Sequence, residues 1–283
     1  MLDLFTVVWG NEMVGSFLEV TIPSLIQPDN IPKAKGLLGS YTIYTDQETQ
    51  AAIRQNKLYQ RLAKDIEVCF EPLQKGKWEV SSNIMRQMEK SGAKHHYMLV
   101  MSPDWAVGNG SLFNMAELCA KGKFNPILYG FPRVTEPGYE ALMAIFKQGR
   151  PVSNRELVSL AMKHVEQRTY TVGVAMEHWI LSNNTWIVSH NVPTPCLLPN
   201  EEIIEIFFTN TTLNSGYDHA MPYILVEKGY PWHLIGNSDI YFQVERGRHL
   251  IGESVFDPSR WQTDKALKGL RFFDQQKQIW QGV

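Results

Sequence analysis

The chain has 283 residues, of which 44% are hydrophobic and 20% are charged. This composition is sufficient for one large hydrophobic core and excludes a chain that is mostly disordered. Since no run approaches ~18 apolar residues, the sequence predicts no membrane-spanning helix. The amino-terminal stretch has no positively charged flank, so we expect no signal peptide. The formal net charge of −2 provides no general basic surface for a polyanion.

Three cysteines, Cys69, Cys119 and Cys196, lie far apart in the sequence and include no C-x-x-C pair. An odd number of widely spaced cysteines is typical of a protein from a reducing compartment. We therefore expect a cytoplasmic protein that has neither a zinc site nor a disulfide framework.

Apolar runs and amphipathic segments alternate through the first hundred residues. The apolar runs, which are rich in β-branched and aromatic residues, predict strands at 5–9, 41–44, 66–70 and 97–101. The amphipathic segments, whose apolar residues recur at helical spacing, predict helices at 13–26, 47–64 and 81–91. This alternation predicts an α/β fold with a mostly parallel central sheet flanked by helices.

Helix signals continue in the second half of the chain. A helix is predicted at 155–168 with Ser153 as its N-cap, because Glu156 follows three residues later as in a capping box. A further helix is predicted at 217–228, and a short strand follows at 232–235. These elements extend the α/β pattern beyond the first four strands.

The carboxyl-terminal part of the sequence differs in style from the rest. Residues 179–198 are rich in Trp, Val, Asn and Pro and predict strands or extended loops, whereas the sequence from Arg260 predicts an amphipathic helix or tail. No internal repeat or linker interrupts the chain. We therefore predict one domain over 1–245 and a C-terminal helical appendage over 246–283.

Polar residues follow the predicted strands where each strand ends. Because ligands bind beyond the carboxyl ends of parallel strands, Trp9-Gly10-Asn11, Thr45-Asp46 and Ser102-Pro103-Asp104 define one candidate crevice. Asp104 precedes a glycine-containing turn, where a carboxylate can hold a divalent cation that bridges a diphosphate. The alternative is that Asp104 only stabilises a turn after Pro103.

A second carboxylate opens the helix predicted at 217–228. Asp218 in the first helical turn is stabilised in its ionised form by the helix dipole, as a general base requires. The alternative is an ordinary aspartate N-cap without a catalytic role.

The order of these motifs resembles a known family. The chain has the order strand–WG–helix, strand–TD–helix, strand–SPD–GNGSL–helix and then YDHAMPYILVEKGYP. This order is similar to that of the GT-A-fold, nucleotide-sugar-dependent glycosyltransferases, above all to the family-2-like group and its bacterial and phage members. The resemblance covers about residues 1–245. Ser102-Pro103-Asp104 matches the Asp-x-Asp motif of this family, with serine in place of the first aspartate. Tyr217-Asp218 matches its Glu-Asp pair, with tyrosine in place of the glutamate.

The resemblance implies a GT-A-like fold and an inverting transfer of a sugar from a nucleotide-sugar donor, expected to be UDP-linked, to a hydroxyl acceptor. It implies that Asp218 is the catalytic base and that Asp104 and Asp239 hold Mn²⁺ or Mg²⁺. The residues that it implies for donor binding are Trp9, Gly10, Asn11, Asp46, Ser102 and Asp104. The alternatives for Trp9 and Asp46 are a buried core tryptophan and a turn aspartate.

Other functions stay open at this point. A binding or scaffold module that kept the fold and lost catalysis would explain the missing acidic residue in each motif. DNA is an alternative acceptor, but residues 245–277 carry seven Arg or Lys against five Asp or Glu, a small surplus. A nucleotidyltransferase would need a basic glycine-rich loop after the first strand, where WGNEMVG is acidic. The absence of G-x-x-x-x-G-K-[ST] and G-x-G-x-x-G strings disfavours P-loop and dinucleotide-binding proteins.

Overall fold

The computed structural model describes residues 1–74, 79–122, 124–128, 132–166, 177–182, 185–189, 194–211, 217–247 and 278–283. Its helices are α1 (Asn11–Ser16), α2 (Ile22–Leu25), α3 (Ile31–Ala34), α4 (Gln47–Gln55), α5 (Lys57–Leu62), α6 (Glu79–Ala93), α7 (Ser111–Ala120), α8 (Glu136–Lys147), α9 (Asn154–Lys163), α10 (Glu201–Thr211) and α11 (Tyr217–Glu227). A π-helical turn, Phe17–Thr21, joins α1 to α2. Within these described ranges, no helix is long and apolar enough to cross a membrane.

The described strands are short, and they form one central four-stranded sheet and three three-stranded sheets. They are β1 (Leu2–Val7), β2 (Leu38–Thr45), β3 (Glu67–Pro72), β4 (Tyr97–Val100), β5 (Trp105–Val107), β6 (Asn125–Leu128), β7 (Arg133–Val134), β8 (Glu177–Ser182), β9 (Thr185–Ser189), β10 (Thr194–Pro195), β11 (Trp232–Ile235), β12 (Gln243–Arg246) and β13 (Gln278–Gln281). The strand predicted at 232–235 coincides with β11.

A parallel sheet with strand order β3-β2-β1-β4 forms the centre of the fold. β1 pairs in parallel with both β2 and β4, and β2 pairs in parallel with β3. Helices connect β1 to β2, β2 to β3 and β3 to β4, as the crossover between parallel strands requires. The predicted α/β class with a parallel sheet flanked by helices is therefore confirmed.

The segment after β10 continues this sheet. Met98 of β4 and Leu197 exchange two backbone hydrogen bonds, with N–O distances of 2.6 and 3.0 Å, in an antiparallel bridge. β10 also pairs antiparallel with β6, which in turn pairs in parallel with β11. The bridge at Met98 and Leu197 thus places the sheet β10-β6-β11 beside the β4 edge of the central sheet.

Helices bury both faces of the central sheet. Because side chains alternate along a strand, Leu2 and Leu4 of β1 lie in one apolar cluster, and Phe5 and Val7 lie in another. The first cluster includes residues of α2, α5 and α7, and the second includes residues of α6, α10 and α11. Burial on both faces explains why the first strand appears in the sequence as a nearly continuous apolar run.

A smaller sheet contains β5, the strand that follows β4 in the sequence. β5 pairs antiparallel with β12, which pairs in parallel with β7, and the sheet packs on α8 and α9 through a separate apolar cluster. Asp104 immediately precedes β5, so it lies at the junction between the two sheets. The remaining sheet is antiparallel and has the order β13-β9-β8.

Capping residues explain two of the helix boundaries. Ser153 Oγ accepts a hydrogen bond from Glu156 N at 3.2 Å, and the Glu156 carboxylate accepts one from Ser153 N at 2.9 Å, which confirms the capping box of α9. The single helix predicted at 47–64 is instead two helices. Asn56 separates them, because its side chain accepts a hydrogen bond from Leu58 N at 2.8 Å and so begins α5.

Most of the predicted C-terminal appendage, including the segment from Arg260, lies outside the described residues. The predicted boundary between 245 and 246 falls within β12. At the end of the chain, β13 pairs with β9, and Val283 N donates a hydrogen bond to Ser159 Oγ of α9 at 2.9 Å. The last described residues therefore form a strand, and the division into two parts stays a prediction.

Candidate functional site

The strand order of the central sheet reverses between β1 and β4, and the candidate crevice is the space outside the carboxyl ends of these two strands. From β1 the chain passes to β2 and β3 on one side of the sheet, and then to β4 on the other side. Ligands of open α/β sheets bind outside the strand ends at such a reversal. The crevice is flanked by Trp9-Gly10-Asn11, which follows β1, and by Ser102-Pro103-Asp104, which follows β4.

Hydrogen bonds hold the two strand ends together at this crevice. Met101 N donates to Phe5 O at 2.8 Å, and Thr6 Oγ1 donates to Met101 O at 2.5 Å. The two loops therefore leave the sheet from fixed neighbouring positions. The third predicted segment, Thr45-Asp46, lies on the other side of β1 at the end of β2, so all three segments follow consecutive strands of the sheet.

The loop after β4 carries a buried carboxylate, that of Asp104. Its residue is only 4% exposed, and Ser102 Oγ donates a hydrogen bond to Asp104 Oδ1 at 2.6 Å. The backbone of the same loop is held from two sides, since Thr21 Oγ1 donates to Pro103 O at 2.8 Å and Arg246 N donates to Asp104 O at 3.3 Å. Several elements thus keep the carboxylate in position.

Ser102, which stands at the position of the first aspartate in the resembled Asp-x-Asp motif, contacts Asp104 at the position of the second. The hydroxyl donor, 2.6 Å from Asp104 Oδ1, limits the rotation of the carboxylate. The loop therefore presents one oriented carboxylate where an Asp-x-Asp motif presents two.

Two ion pairs from distant parts of the chain surround this loop. In the first, Arg133 Nε lies 3.2 Å from Glu245 Oε2, on neighbouring strands of the smaller sheet. Burial by itself would lower the pKa of Arg133, but the carboxylates of Glu245, Glu166 and Asp104 outweigh it and raise this pKa above its usual value. The guanidinium therefore stays protonated near Asp104.

The second ion pair connects β12 with the helices beside the crevice. Arg246 donates to both carboxylate oxygens of Glu136, at 2.9 and 2.7 Å, and to Ser16 Oγ at 3.2 Å. Its Nη1 lies 3.4 Å from Glu12 Oε1, and its guanidinium lies 4.9 Å from the centre of the Tyr139 ring. Arg246 thus links α1, which follows the Trp9 loop, to α8. No motif in the sequence indicated either arginine.

The loop after β1 is partly exposed to solvent. Trp9 is half-buried against the cluster that includes Phe5 and Val7, whereas Gly10 and Asn11 are exposed. Gly10 has a φ of 76°, a conformation that favours glycine, and a Cβ there would meet no atom within 4 Å. Glycine is therefore required here by the backbone turn rather than by close packing.

Asp46 and Asp239 have structural partners. Asp46 follows β2 and caps α4, because its Oδ1 accepts a hydrogen bond from Thr49 N at 2.8 Å. Asp239 is exposed and forms a two-point ion pair with Arg155, at 3.0 and 2.8 Å. These contacts agree with a turn role for Asp46 and a surface ion pair for Asp239, and their ligand-binding roles stay predictions.

Asp218 lies in the first turn of α11, which closely matches the helix predicted at 217–228. The helix ends before Gly229, whose φ of 76° breaks the helical backbone. The side chain of Asp218 lies outside the described residues. Its assignment as the base therefore rests on the position of the residue at the start of this helix.

The residues around Asp104 fit a divalent cation only in part. Among the residues that the structure describes, no group of three or more His, Cys, Asp or Glu side chains can hold a metal ion. Mg²⁺ commonly binds to one or two carboxylates together with substrate phosphates and water. Asp104 therefore fits a cation that is shared with a bound diphosphate, and does not fit a metal site that fills without one.

The glycine-containing loop at 108–110 is fixed by a buried asparagine. Asn30, which is 0% exposed, accepts hydrogen bonds from Gly110 N at 3.0 Å and Leu112 N at 3.1 Å. It also donates to Gly108 O and Ser24 O, at 3.2 and 2.8 Å. Because these backbone groups already have protein partners, the loop supports the start of α7 and does not form a phosphate cradle.

We expect Asn30→Ala to lower the free energy of unfolding by about 3 kcal/mol or more, because it leaves several buried backbone groups without partners. Urea denaturation measures the change. Asn114→Ala is the control, since Asn114 makes one partly exposed hydrogen bond, from its Nδ2 to Ile240 O at 2.8 Å. Equal losses in both variants would contradict a central role for Asn30.

The site thus consists of two adjacent strand ends, one oriented carboxylate and two arginine–carboxylate pairs that the sequence did not indicate. In a search against models of known protein families and a search of curated proteins, the chain matches none.

Proposed function

We propose that this chain is a glycosyltransferase with a GT-A-like fold, which transfers a sugar from a nucleotide-sugar donor to a hydroxyl acceptor. The observation that carries the proposal is the position of Asp104, a buried and oriented carboxylate beside the reversal of strand order. Nucleotides bind at this place in open α/β sheets. The mostly parallel sheet with helices on both faces also supports the proposal.

In this proposal the loop after β1 binds the nucleoside. Trp9 is half-buried, so one edge of its indole can contact a base while the other edge packs on the core. The glycine at position 10 keeps side-chain atoms away from the approaching ligand. Asn11 is exposed and offers an amide for hydrogen bonds to the nucleoside.

The residues at the end of β4 act on the diphosphate. Ser102 holds the Asp104 carboxylate, which would bind Mn²⁺ or Mg²⁺ together with the diphosphate oxygens. When bound, the cation supplies positive charge that stabilises the leaving diphosphate. Asp218 accepts the proton of the acceptor hydroxyl as its oxygen attacks the anomeric carbon, which gives inversion of configuration.

A catalytically inactive binding module is the second candidate. Ser102 and Tyr217 stand where the resembled family carries acidic residues, and the Ser102 hydroxyl is engaged with Asp104. Such a module would bind the nucleotide sugar without cleaving it. Release of free sugar from a panel of nucleotide sugars, measured with Mn²⁺ present, distinguishes a transferase from this module.

We expect a nucleoside diphosphate and Mn²⁺ together to raise the melting temperature, and each alone to have little effect. The physical reason is that one carboxylate and a diphosphate are both needed to complete the coordination of the cation. A ligand at about 100 times its Kd adds roughly 2.7 kcal/mol to the free energy of unfolding. For a chain of this size that corresponds to a rise of about 5 °C. Thermal-shift assays with UDP, GDP, ADP and CDP measure it.

Nucleosides without phosphate serve as the ligand control, because they can occupy the base site and cannot share the cation. The proposal predicts no metal-dependent shift with them. A shift with Mn²⁺ alone would indicate a resident metal site, and the absence of a shift with every nucleoside diphosphate would contradict donor binding in the crevice.

A further inference from the structure

Two of the three cysteines lie next to each other in the core, although 77 positions separate them in the sequence. The sulfur atoms of Cys119 and Cys196 are 3.6 Å apart. Both residues are buried, with exposures of 2% and 0%, and both are free thiols. The third, Cys69, lies on the edge strand β3 and is partly exposed.

The backbone determines why these two side chains meet. Cys196 follows β10, and its N donates a hydrogen bond to Pro126 O of β6 at 2.7 Å. Because side chains alternate in extended backbone, Cys196 lies in the cluster of the α7 face while Leu197 lies in the cluster of the opposite face. Cys119 belongs to the last turn of α7 and so faces Cys196 across this layer.

We propose that Cys119 and Cys196 form a disulfide that joins the end of α7 to the segment that follows β10. The bond requires the sulfur atoms to approach by about 1.5 Å from their present separation, because a disulfide measures ~2.05 Å. The proposal is independent of the glycosyltransferase assignment.

The reaction is a thiol–disulfide exchange with a small disulfide such as oxidised glutathione. One protein thiolate attacks a glutathione sulfur, which forms a mixed disulfide and releases one glutathione thiolate. The second protein thiolate attacks the protein sulfur of the mixed disulfide and releases the second glutathione. The protein loses two hydrogens, and one glutathione disulfide becomes two glutathione thiols.

The surroundings make this exchange slow in the folded protein. Burial raises the pKa of the Cys196 thiol well above its usual value, so little of the reactive thiolate is present at neutral pH. The disulfide therefore forms readily only while the chain folds or when the α7 layer opens. Once formed, it is shielded from reductants by the same burial.

The cross-link would restrict the movement of α7 relative to the segment that follows β10, both of which lie near the candidate site. α7 begins at the loop that Asn30 holds, and the strand of Cys196 lies beside β4, which ends at Ser102-Pro103-Asp104. A bond that closes a loop of this length restricts the unfolded chain strongly. We therefore expect the oxidised protein to be the more stable form.

The test is to refold the protein from urea in buffers with a low and a high ratio of oxidised to reduced glutathione. Alkylation and peptide mass mapping then identify the cross-link. We expect a peptide that joins Cys119 to Cys196, and a melting temperature higher by about 5 °C or more. If the unfolded protein is treated with dithiothreitol and then refolded, the cross-linked peptide and the increase in melting temperature should both be absent.

Single-cysteine variants provide the controls. Cys69→Ser should behave as the parent, because Cys69 is remote from the pair. Cys119→Ser and Cys196→Ser should show no cross-link and no increase in melting temperature under oxidising conditions. Free Cys119 and Cys196 in the oxidised parent would overturn the proposal, and so would bonds that involve only Cys69 or a cross-link that lowers the melting temperature.

Discussion

Replacing Asp104 by asparagine should remove the metal-dependent part of nucleotide binding and leave the fold intact. The amide has the size of the carboxylate and can still accept the hydrogen bond from Ser102 Oγ, which lies 2.6 Å from Asp104 Oδ1. It carries no negative charge and is a poor ligand for Mn²⁺ or Mg²⁺ beside a diphosphate. Thermal shift with nucleoside diphosphate, with and without Mn²⁺, measures the effect, and circular dichroism checks the fold.

Two further variants make this test specific. Asp239→Asn removes a carboxylate that pairs with Arg155 on the surface, so the metal-dependent shift should survive. Ser102→Asp restores two carboxylates in the loop and should strengthen the response to Mn²⁺. Unchanged metal-dependent binding in Asp104→Asn would identify Asp104 as a turn residue. Loss of metal-dependent binding in Asp239→Asn would identify Asp239 as a second metal ligand.

The candidate crevice was predictable because its parts are local. Each loop comes directly after a short apolar strand, and the alternation of strands and helices implies that parallel strands end at the same edge. Trp9-Gly10-Asn11 and Ser102-Pro103-Asp104 could therefore be placed at one edge from the sequence alone. Their positions on adjacent strands depend on the order β3-β2-β1-β4, which pairing between distant residues determines.

The ion pairs around Asp104 could not be predicted, because their partners lie far apart in the chain. Arg133 and Glu245 are separated by 112 positions, and Arg246 and Glu136 by 110. They meet because β12 inserts between β5 and β7. A four-residue strand that contains two charged residues has too short an apolar pattern to be recognised.

Asp3 shows the same limit at the start of β1, which spans Leu2–Val7 and not the predicted 5–9. A carboxylate at the start of β1 would be expected at the surface, yet Asp3 is 0% exposed. It accepts hydrogen bonds from Ser40 N at 3.0 Å and Ser91 Oγ at 2.9 Å, and it lies 3.1 Å from His96 Nδ1. Burial is acceptable because three distant elements supply polar partners, and no local pattern records them.

Replacing Asp218 by asparagine should slow sugar transfer by about 10²–10⁴-fold and leave donor affinity nearly unchanged. Asparagine has almost the same size and stabilises a helix start about as well, so the free energy of unfolding should change little. It cannot accept the proton of the acceptor hydroxyl. In the proposed function, donor binding depends on the loops after β1 and β4 instead. Calorimetry for donor binding and an acceptor-dependent transfer assay measure the two quantities separately on the same variant.

The matched control for this last prediction is Glu227→Gln, which makes the same chemical change at the other end of α11. Glu227 is exposed and closes the helix that Asp218 opens, so transfer should stay at the parental rate. Rates within about threefold of the parent in Asp218→Asn would exclude a general base at this position. Loss of donor binding together with transfer would instead make Asp218 a residue that supports the start of α11. Normal binding with slow transfer is the result expected of the base, because only the step that removes the proton has lost its acceptor.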